Sequence, residues 1–400
     1  MFDKIKRFNK KHVFWGNIIY FCYLIYGHFF FFLCFCMRIF PIQKNKILCC
    51  NMKGKRCSDN PMYIANELKA RDKKYKIVWL MDRNAKVFFQ KEANCVKINP
   101  LSMAYELATS QVWIDSNTKC YGTLKRKKQF YIQTWHANYG FKKIGLDLGD
   151  KLSLVDRRIY TYNGQIADLF ISNGRKSSEI YRSSFGYSGE ILECGSPRND
   201  VFFQDSESYR KKVQDRFAIH GRKMALYAPT FREDFGTSAF HLDYCRLKNN
   251  LKKRFGGEWV VLVRLHPSNV MEADSFFVQE EQIINATYYD IVQELLVACD
   301  ILITDYSSSM FDFATKGKVC FLYATDVAKY QRERGCYFAF EELPFPLAQN
   351  DNQLEENILF FSEEQYQKGL DIFFQKVGHC ENGNASSKVA DYIENWLETW

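Results

Sequence analysis

Between Val13 and Met37 the chain carries no Asp, Glu, Lys or Arg. As a helix this run would be about 37 Å long at about 1.5 Å per residue, enough to cross a hydrocarbon core of about 30 Å. Gly16, Asn17, Gly27 and His28 interrupt it, and its apolar residues are more often aromatic than leucine. A signal peptide is disfavoured, because the run exceeds the usual apolar length and no small-residue cleavage site follows. Lys4, Lys6, Arg7, Lys10 and Lys11 precede it and Arg38, Lys44 and Lys46 follow, so the charges assign no direction across a bilayer. The pattern predicts a membrane anchor or an in-plane insertion whose basic flanks meet anionic headgroups. A buried core helix is the competing reading.

After Pro41 short apolar runs alternate with amphipathic stretches. KILCC (46–50), KIVWLM (76–81), QVWIDS (111–116), FYIQTWH (130–136), DLFISNG (168–174) and EILECGSPRND (190–200) read as strands or strand ends. A helix is predicted from Pro61 with Asn60 as its cap, and another over 175–184. A second series follows residue 215: MALYAPT (224–230), WVVLVRLHP (259–267), DILITD (300–305) and KVCFLY (318–323). Helices are predicted over 241–255 and 290–298, over a short stretch ending at Gly317, and over the tail 381–400. Runs rich in Val, Ile and Leu alternating with helices call for parallel sheets covered on both faces. Two such series predict an α/β chain of two Rossmann-like, doubly wound domains facing a cleft. The expected organisation is a membrane-associating segment at 1–40 and domains at 41–210 and 211–400, the latter including the terminal helix. The boundary would lie in the polar stretch 205–222.

Composition narrows the partners. With 47% hydrophobic and 25% charged residues over 400 positions, the chain has the make-up of a folded protein with room for two domains. A net charge of +9 favours acidic partners such as nucleotides, phosphorylated polymers or anionic lipid. The basic residues are dispersed and no helix-turn-helix, zinc-finger or RRM signature occurs, so nucleic acid is not an expected partner. The 14 cysteines are scattered with no C-x-x-C pair, which fits free thiols in a reducing compartment.

Four strand ends deliver polar residues to a carboxyl edge, where α/β sheets bind ligands. They are Thr134-Trp135-His136, Pro229-Thr230-Phe231-Arg232, Arg264-Leu265-His266-Pro267 and Asp305-Tyr306-Ser307-Ser308-Ser309. In the last, a strand runs through serines straight into a helix, so backbone N–H groups and hydroxyls can converge on an anion; simple capping is the competing reading. Arg264 and His266, two residues apart, point to one face and could address one diphosphate. His136 has the side chain suited to a general base near neutrality, with packed structural histidines as the alternative for both. His12, His28, His220, His241 and His379 have no such setting. The chain contains no D-x-D pair, P-loop, G-x-G-x-x-G or G-x-S-x-G. Charge neutralisation would therefore fall to Arg, Lys, His and helix dipoles, with no metal expected.

The ordered series PIQKNKI (41–47), SDNPMYIANEL (58–68), QTWH (133–136), CGSPRND (194–200), YAPTFR (227–232), RLHP (264–267) and ITDYSSSMFDF (303–313) resembles the CDP-glycerol glycerophosphotransferase family of teichoic acid synthesis, over residues 41–345. The resemblance implies a GT-B fold, with the first domain on the acceptor side and the second binding the donor. It also implies membrane attachment at the cytoplasmic face and metal-independent transfer from CDP-glycerol or CDP-ribitol, with no further cofactor. The acceptor would be a lipid-linked polyol phosphate or polysaccharide of teichoic acid or capsule. His136 matches the family's catalytic base; Arg232, His266, Asp305, Ser307 and Ser308 match positions that hold the CDP diphosphate or shape its site. Ala137 departs from the pattern, since the family usually has Gly there, in a loop on the acceptor side. The rival readings are a metal-independent GT-B glycosyltransferase using a nucleotide sugar in envelope polysaccharide synthesis, and a non-catalytic membrane assembly factor.

Overall fold

The structure, a computed structural model, describes residues 13–71, 74–82, 94–230, 242–265, 277 and 283–399. In chain order the first elements are α1 (Val13–Cys36), β1 (Gln43–Cys50), α2 (Asp59–Arg71), β2 (Lys76–Met81), β3 (Asn94–Lys97), α3 (Pro100–Thr109), β4 (Ser110–Asp115) and β5 (Phe130–Gln133). Next come α4 (Leu154–Ile166), β6 (Leu169–Ser172), α5 (Arg175–Phe185), β7 (Glu190–Glu193), α6 (Ser206–Phe217), β8 (Lys223–Ala228), α7 (Tyr244–Phe255) and β9 (Trp259–Val263). The chain continues through β10 (Ile284–Asn285), α8 (Val292–Ala298), β11 (Ile301–Thr304), α9 (Ser309–Ala314), β12 (Val319–Tyr323) and α10 (Val327–Arg334). It ends with β13 (Leu347–Ala348), α11 (Asp351–Leu359), α12 (Glu363–Val377) and α13 (Ala385–Glu398).

Two units emerge. The first comprises Met1–His136, Ile144–Arg198 and Asn384–Trp400; the second comprises Ala137–Lys143 and Asn199–Gly383. The first unit's sheet has the order β3-β2-β1-β4-β5-β6-β7 and the second's β10-β9-β8-β11-β12-β13. Every pairing between these strands is parallel, as between β1 and β4 (Leu48 beside Trp113) and between β8 and β11 (Leu226 beside Leu302). Parallel neighbours need crossovers, which is why helices separate the strands and why β4 and β11 are buried along their whole length.

The outline differs from expectation in four places. The stretch 205–222, expected to be a boundary, contains α6, capped by Asp205 and belonging to the second unit; the division falls at 198/199. Helix α13, expected in the second domain, belongs to the first unit. There Arg71 Nη1 meets Asp391 (2.5 Å) and Glu394 (2.8 Å), and Trp396 stacks on Phe130 (4.9 Å). The segment expected at 1–40 is not separable over its described part, because Phe30 and Cys34 of α1 are fully buried in a core with Leu48, Leu107, Trp113 and Tyr131. Finally, Asn60 is not a cap: α2 starts at Asp59, whose Oδ1 accepts from Asn60 N (2.8 Å), and the Asn60 side chain is left for another use.

Candidate active site

In the first unit the strand order reverses between β1 and β4, and ligands of open α/β sheets bind at the carboxyl edge of such a switch point. There β4 ends in Asp115-Ser116 and β5 leads into Thr134-Trp135-His136. Asp115 pairs with Lys119 at 2.7 Å, both side chains nearly inaccessible, and its Oδ1 accepts from Asn117 N (2.8 Å). That buried pair holds the turn that presents the Ser116 carbonyl, while Ser116 Oγ donates to Asn51 Oδ1 (2.5 Å) at the end of β1.

Ser116 O lies 2.7 Å from His136 Nδ1. A carbonyl can only accept, so Nδ1 carries the proton and Nε2 keeps its lone pair. Burial is the main influence on the half-buried ring and lowers its pKa from the ordinary 6.5, with nearby Arg198 adding to it and Ser116 O and Asp59 opposing. His136 is therefore neutral at pH 7 with a basic nitrogen available, the state a general base needs.

The backbone reaches His136 through a strained residue. Trp135 has φ 49°, in the left-handed region that a bulky side chain avoids. Several contacts hold it there. Its N–H donates to Gln133 Oε1 (2.9 Å), its ring packs edge-on against Phe185 (5.2 Å) and tilts over His136 (4.4 Å), and Asn60 Nδ2 donates to its carbonyl (3.2 Å). Asn60 Oδ1 accepts from Arg198 N (3.1 Å), and Arg198 Nη1 donates to both His136 O (2.8 Å) and Asp59 Oδ1 (2.9 Å). Arg198 is 3% exposed. Asp59, Asn60 and Arg198 thus clamp the residues on either side of the imidazole. Asn60 is expected from the sequence only as a helix cap and Asp59 and Arg198 have no expected role, although SDNP and SPRND stand at the starts of elements, where such clamps sit.

His136 and Arg198 are each the last residue before the chain passes into the second unit. The loop that follows His136, expected on the acceptor side, is anchored instead in the second unit's interior. Asn138 Nδ2 donates to Asp312 Oδ1 (2.5 Å), Tyr139 is fully buried with its hydroxyl on His379 Nδ1, and Phe141 packs on Phe340 (5.2 Å). Burial pushes His379 down to about 4. Below the unfolded value near 6.5 the unfolded chain gains a proton that the folded one refuses, so stability falls as pH drops from there towards 4. A loss of about 3 kcal/mol is expected over that window, read as a falling urea midpoint that a His379→Asn variant lacks.

The second unit reverses strand order between β8 and β11. Asp305, following β11, is 1% exposed and its Oδ1 accepts from Thr230 N (2.8 Å), from Thr230 Oγ1 and from Tyr306 N (2.6 Å). It ties together the two loops at the switch point. Ser307 Oγ accepts from Ser309 Oγ (2.8 Å), and the Ser308 hydroxyl makes no capping bond. Helix α9 has six residues, so its dipole is small, and what the loop can offer an anion is N–H groups and hydroxyls. Arg264 differs from expectation. It lies beyond the end of β9, is 9% exposed, and Nη1 donates to Ala286 O (3.0 Å) and Tyr289 O (2.5 Å), making it a brace for residues 286–289. Arg232 and His266 lie outside the described residues. No cluster of metal-ligating side chains occurs among the described residues.

The family model described as CDP-glycerol:poly(glycerophosphate) glycerophosphotransferase matches residues 31–395. The chain is similar to a teichoic acid poly(glycerol phosphate) polymerase of Staphylococcus epidermidis, 30% identical over 357 residues, covering 85% of this chain and 49% of that one. A teichoic acid glycerol-phosphate transferase of Staphylococcus aureus is 28% identical over 371 residues, 88% of this chain and 93% of that one. The solved wall teichoic acid polymerase TagF superposes with a TM-score of 0.78 at 27% identity, over 90% of each chain. The chain spans about half the length of the polymerases of S. epidermidis and Bacillus subtilis that it matches, 49% of each. With nearly the whole chain matched, the protein belongs to the CDP-glycerol:poly(glycerophosphate) glycerophosphotransferase family.

Proposed function

We propose that this chain transfers an alditol phosphate, glycerol phosphate in the first instance, from a CDP-activated donor to a lipid-linked acceptor of teichoic acid or capsule synthesis. The two units would work as the halves of a GT-B enzyme, the first taking the acceptor and the second the donor. The observation that carries the chemistry is the 2.7 Å bond from His136 Nδ1 to Ser116 O, which leaves Nε2 basic.

The acceptor hydroxyl gives its proton to His136 Nε2 as its oxygen bonds to the alditol-bearing phosphorus. The bond from that phosphorus to the bridging oxygen breaks, and CMP leaves with the electron pair. Charge building on the diphosphate would meet Arg232, His266, and the N–H groups and hydroxyls at Ser307 and Ser308, with Asp305 and Arg264 bracing the loops behind them. Such a set would supply cationic and N–H charge to the diphosphate without a metal. The enzyme would work at the cytoplasmic face of the membrane, with α1 as its attachment.

A donor panel tests this reading. Incubation with CDP-glycerol, CDP-ribitol and UDP-sugars should release CMP from a CDP-alditol and leave the UDP-sugars intact, at a rate unchanged by excess EDTA. UDP release would establish the glycosyltransferase alternative, and loss of turnover on chelation with rescue by magnesium would overturn the metal-free mechanism.

A further inference from the structure

Three sulfurs meet in the first unit beside the clamp on His136. The loop after β1 lies against the carboxyl end of β2, where Asp82 N donates to Gly54 O (2.9 Å). Gly54 has φ 85°, and a Cβ there would meet Asp82 N at 2.7 Å and Ile98 Cδ1 at 2.6 Å, so glycine is what permits the approach. Cys57 follows three residues later. Parallel pairing sets Cys95 of β3 beside Trp79 of β2, and strand alternation puts Trp79 and Met81 on one face. Met81 and Cys95 thus offer sulfur to the same side of the sheet. Cys57 Sγ lies 3.5 Å from Met81 Sδ, and its thiol also pairs with the Cys95 thiol.

The two thiols are not equivalent. Cys95 is exposed and Cys57 is half-buried. Burial raises the pKa of both, but at Cys95 the hydrogen bond from Cys57 and the charge of Lys69 oppose the rise, whereas at Cys57 the neighbouring Cys95 adds to it. Cys95 is therefore the thiol that an oxidant reaches and that ionises first, and Cys57 is placed to resolve it. Cys57 also adjoins the supports of the base. Ser58 Oγ accepts from Asn51 Nδ2 (2.8 Å), and Asn51 Oδ1 accepts from Ser116 Oγ, whose residue fixes the imidazole. Asp59, with φ 62°, stands in the left-handed region and is held there by Asn60 N and Arg198.

We propose that Cys57 and Cys95 are a reversible disulfide site that slows the transferase when oxidised. The oxidant is a low-molecular-weight disulfide such as glutathione disulfide. The Cys95 thiolate attacks one of its sulfurs, a mixed disulfide forms and the first small thiolate leaves. Cys57 gives up its proton and attacks Cys95 Sγ, the internal S–S bond forms and the second small thiolate leaves. Two electrons pass to the oxidant, and excess reduced thiol reverses both steps. An S–S bond is about 2.04 Å long, shorter than any contact between unbonded sulfurs, such as the 3.5 Å from Cys57 to Met81. Closing it draws the residues before Asp59 towards β3 and loosens the clamp. In a reducing compartment the pair rests as two thiols. The effect on rate rests on the reading of His136 as the base; the disulfide itself does not.

The test uses the full chain. After exposure to glutathione disulfide and alkylation of the remaining thiols, peptide mapping should show Cys57 joined to Cys95, and reduced glutathione should undo the link. CMP release from CDP-glycerol should fall by about tenfold, for a displacement smaller than the 1 Å that costs about 10²-fold. Calorimetric binding of CDP should be unchanged and Tm no lower. Cys95→Ser should keep the full rate when reduced and resist the oxidant. Cys57 and Cys95 found free, or each carrying its own glutathione, would overturn the disulfide. A mapped disulfide with an unchanged rate would overturn the switch, as would equal inhibition of Cys95→Ser. Absence of turnover in the reduced wild type would count against the enzyme reading, while the map still decides the disulfide.

Discussion

Replacing His136 by alanine is expected to lower the transfer rate by about 10²–10⁴-fold, the usual worth of a positioned general base, with little change in donor affinity. The ring sits in the first unit, fixed by Ser116 O, whereas Asp305 and Ser307, proposed to face the donor, belong to the second. Turnover of CDP-glycerol and calorimetric binding of CDP separate the two quantities. Because burial lowers the His136 pKa from 6.5, the wild-type acid limb should lie below that value: activity holds as pH falls to 6.5 and is lost only lower. The limb should vanish in the alanine variant. Equal loss of CDP binding and rate would place His136 on the donor instead.

Arg198→Ala should have the next largest effect. One guanidinium nitrogen bridges His136 O and Asp59 Oδ1, and its backbone N–H is held by Asn60, so its loss lets the Trp135–His136 backbone relax. Misplacement of a catalytic group by about 1 Å is worth about 10²-fold in rate, and a loss of that order is expected. Arg198 is a positioning residue, and a second readout separates that role from mere support of the fold. Its charge helps to lower the His136 pKa, so the acid limb of the variant should move up towards 6.5. Arg198→Lys should not restore the rate, since a shorter, freely rotating ammonium does not hold two N–H bonds in the fixed plane in which Nη1 holds them. A variant with lower Tm but an unmoved pH profile would make Arg198 structural only.

The sheets could be read from the chain because a strand buried on both faces must be apolar almost throughout, as VVLV (260–263) and ILIT (301–304) are. Edge strands lack that requirement. Asn94–Lys97 is largely exposed, and Ile284–Asn285 and Leu347–Ala348 pair over two residues each, so none stands out in the pattern. His136 was legible as a strand-end histidine. Its partners were not, because Asp59, Asn60 and Arg198 lie far from it in sequence and an asparagine before a proline reads first as a helix cap. Arg264 misled for a related reason: alternation along a strand assumes that the strand continues, whereas β9 stops at Val263 and the side chain turns to the carbonyls of 286 and 289. The apolar N-terminal run pointed to both membrane and core. One side of α1 is core and the other is exposed, a distinction that length and composition do not carry.

The central claim is that phosphorus moves with the alditol. CDP-glycerol labelled with ³²P at the phosphate next to glycerol, incubated with enzyme and a lipid-linked acceptor, should transfer its label to the lipid product while unlabelled CMP appears in equal amount. Label retained in CDP, with glycerol alone or a sugar transferred, would contradict it.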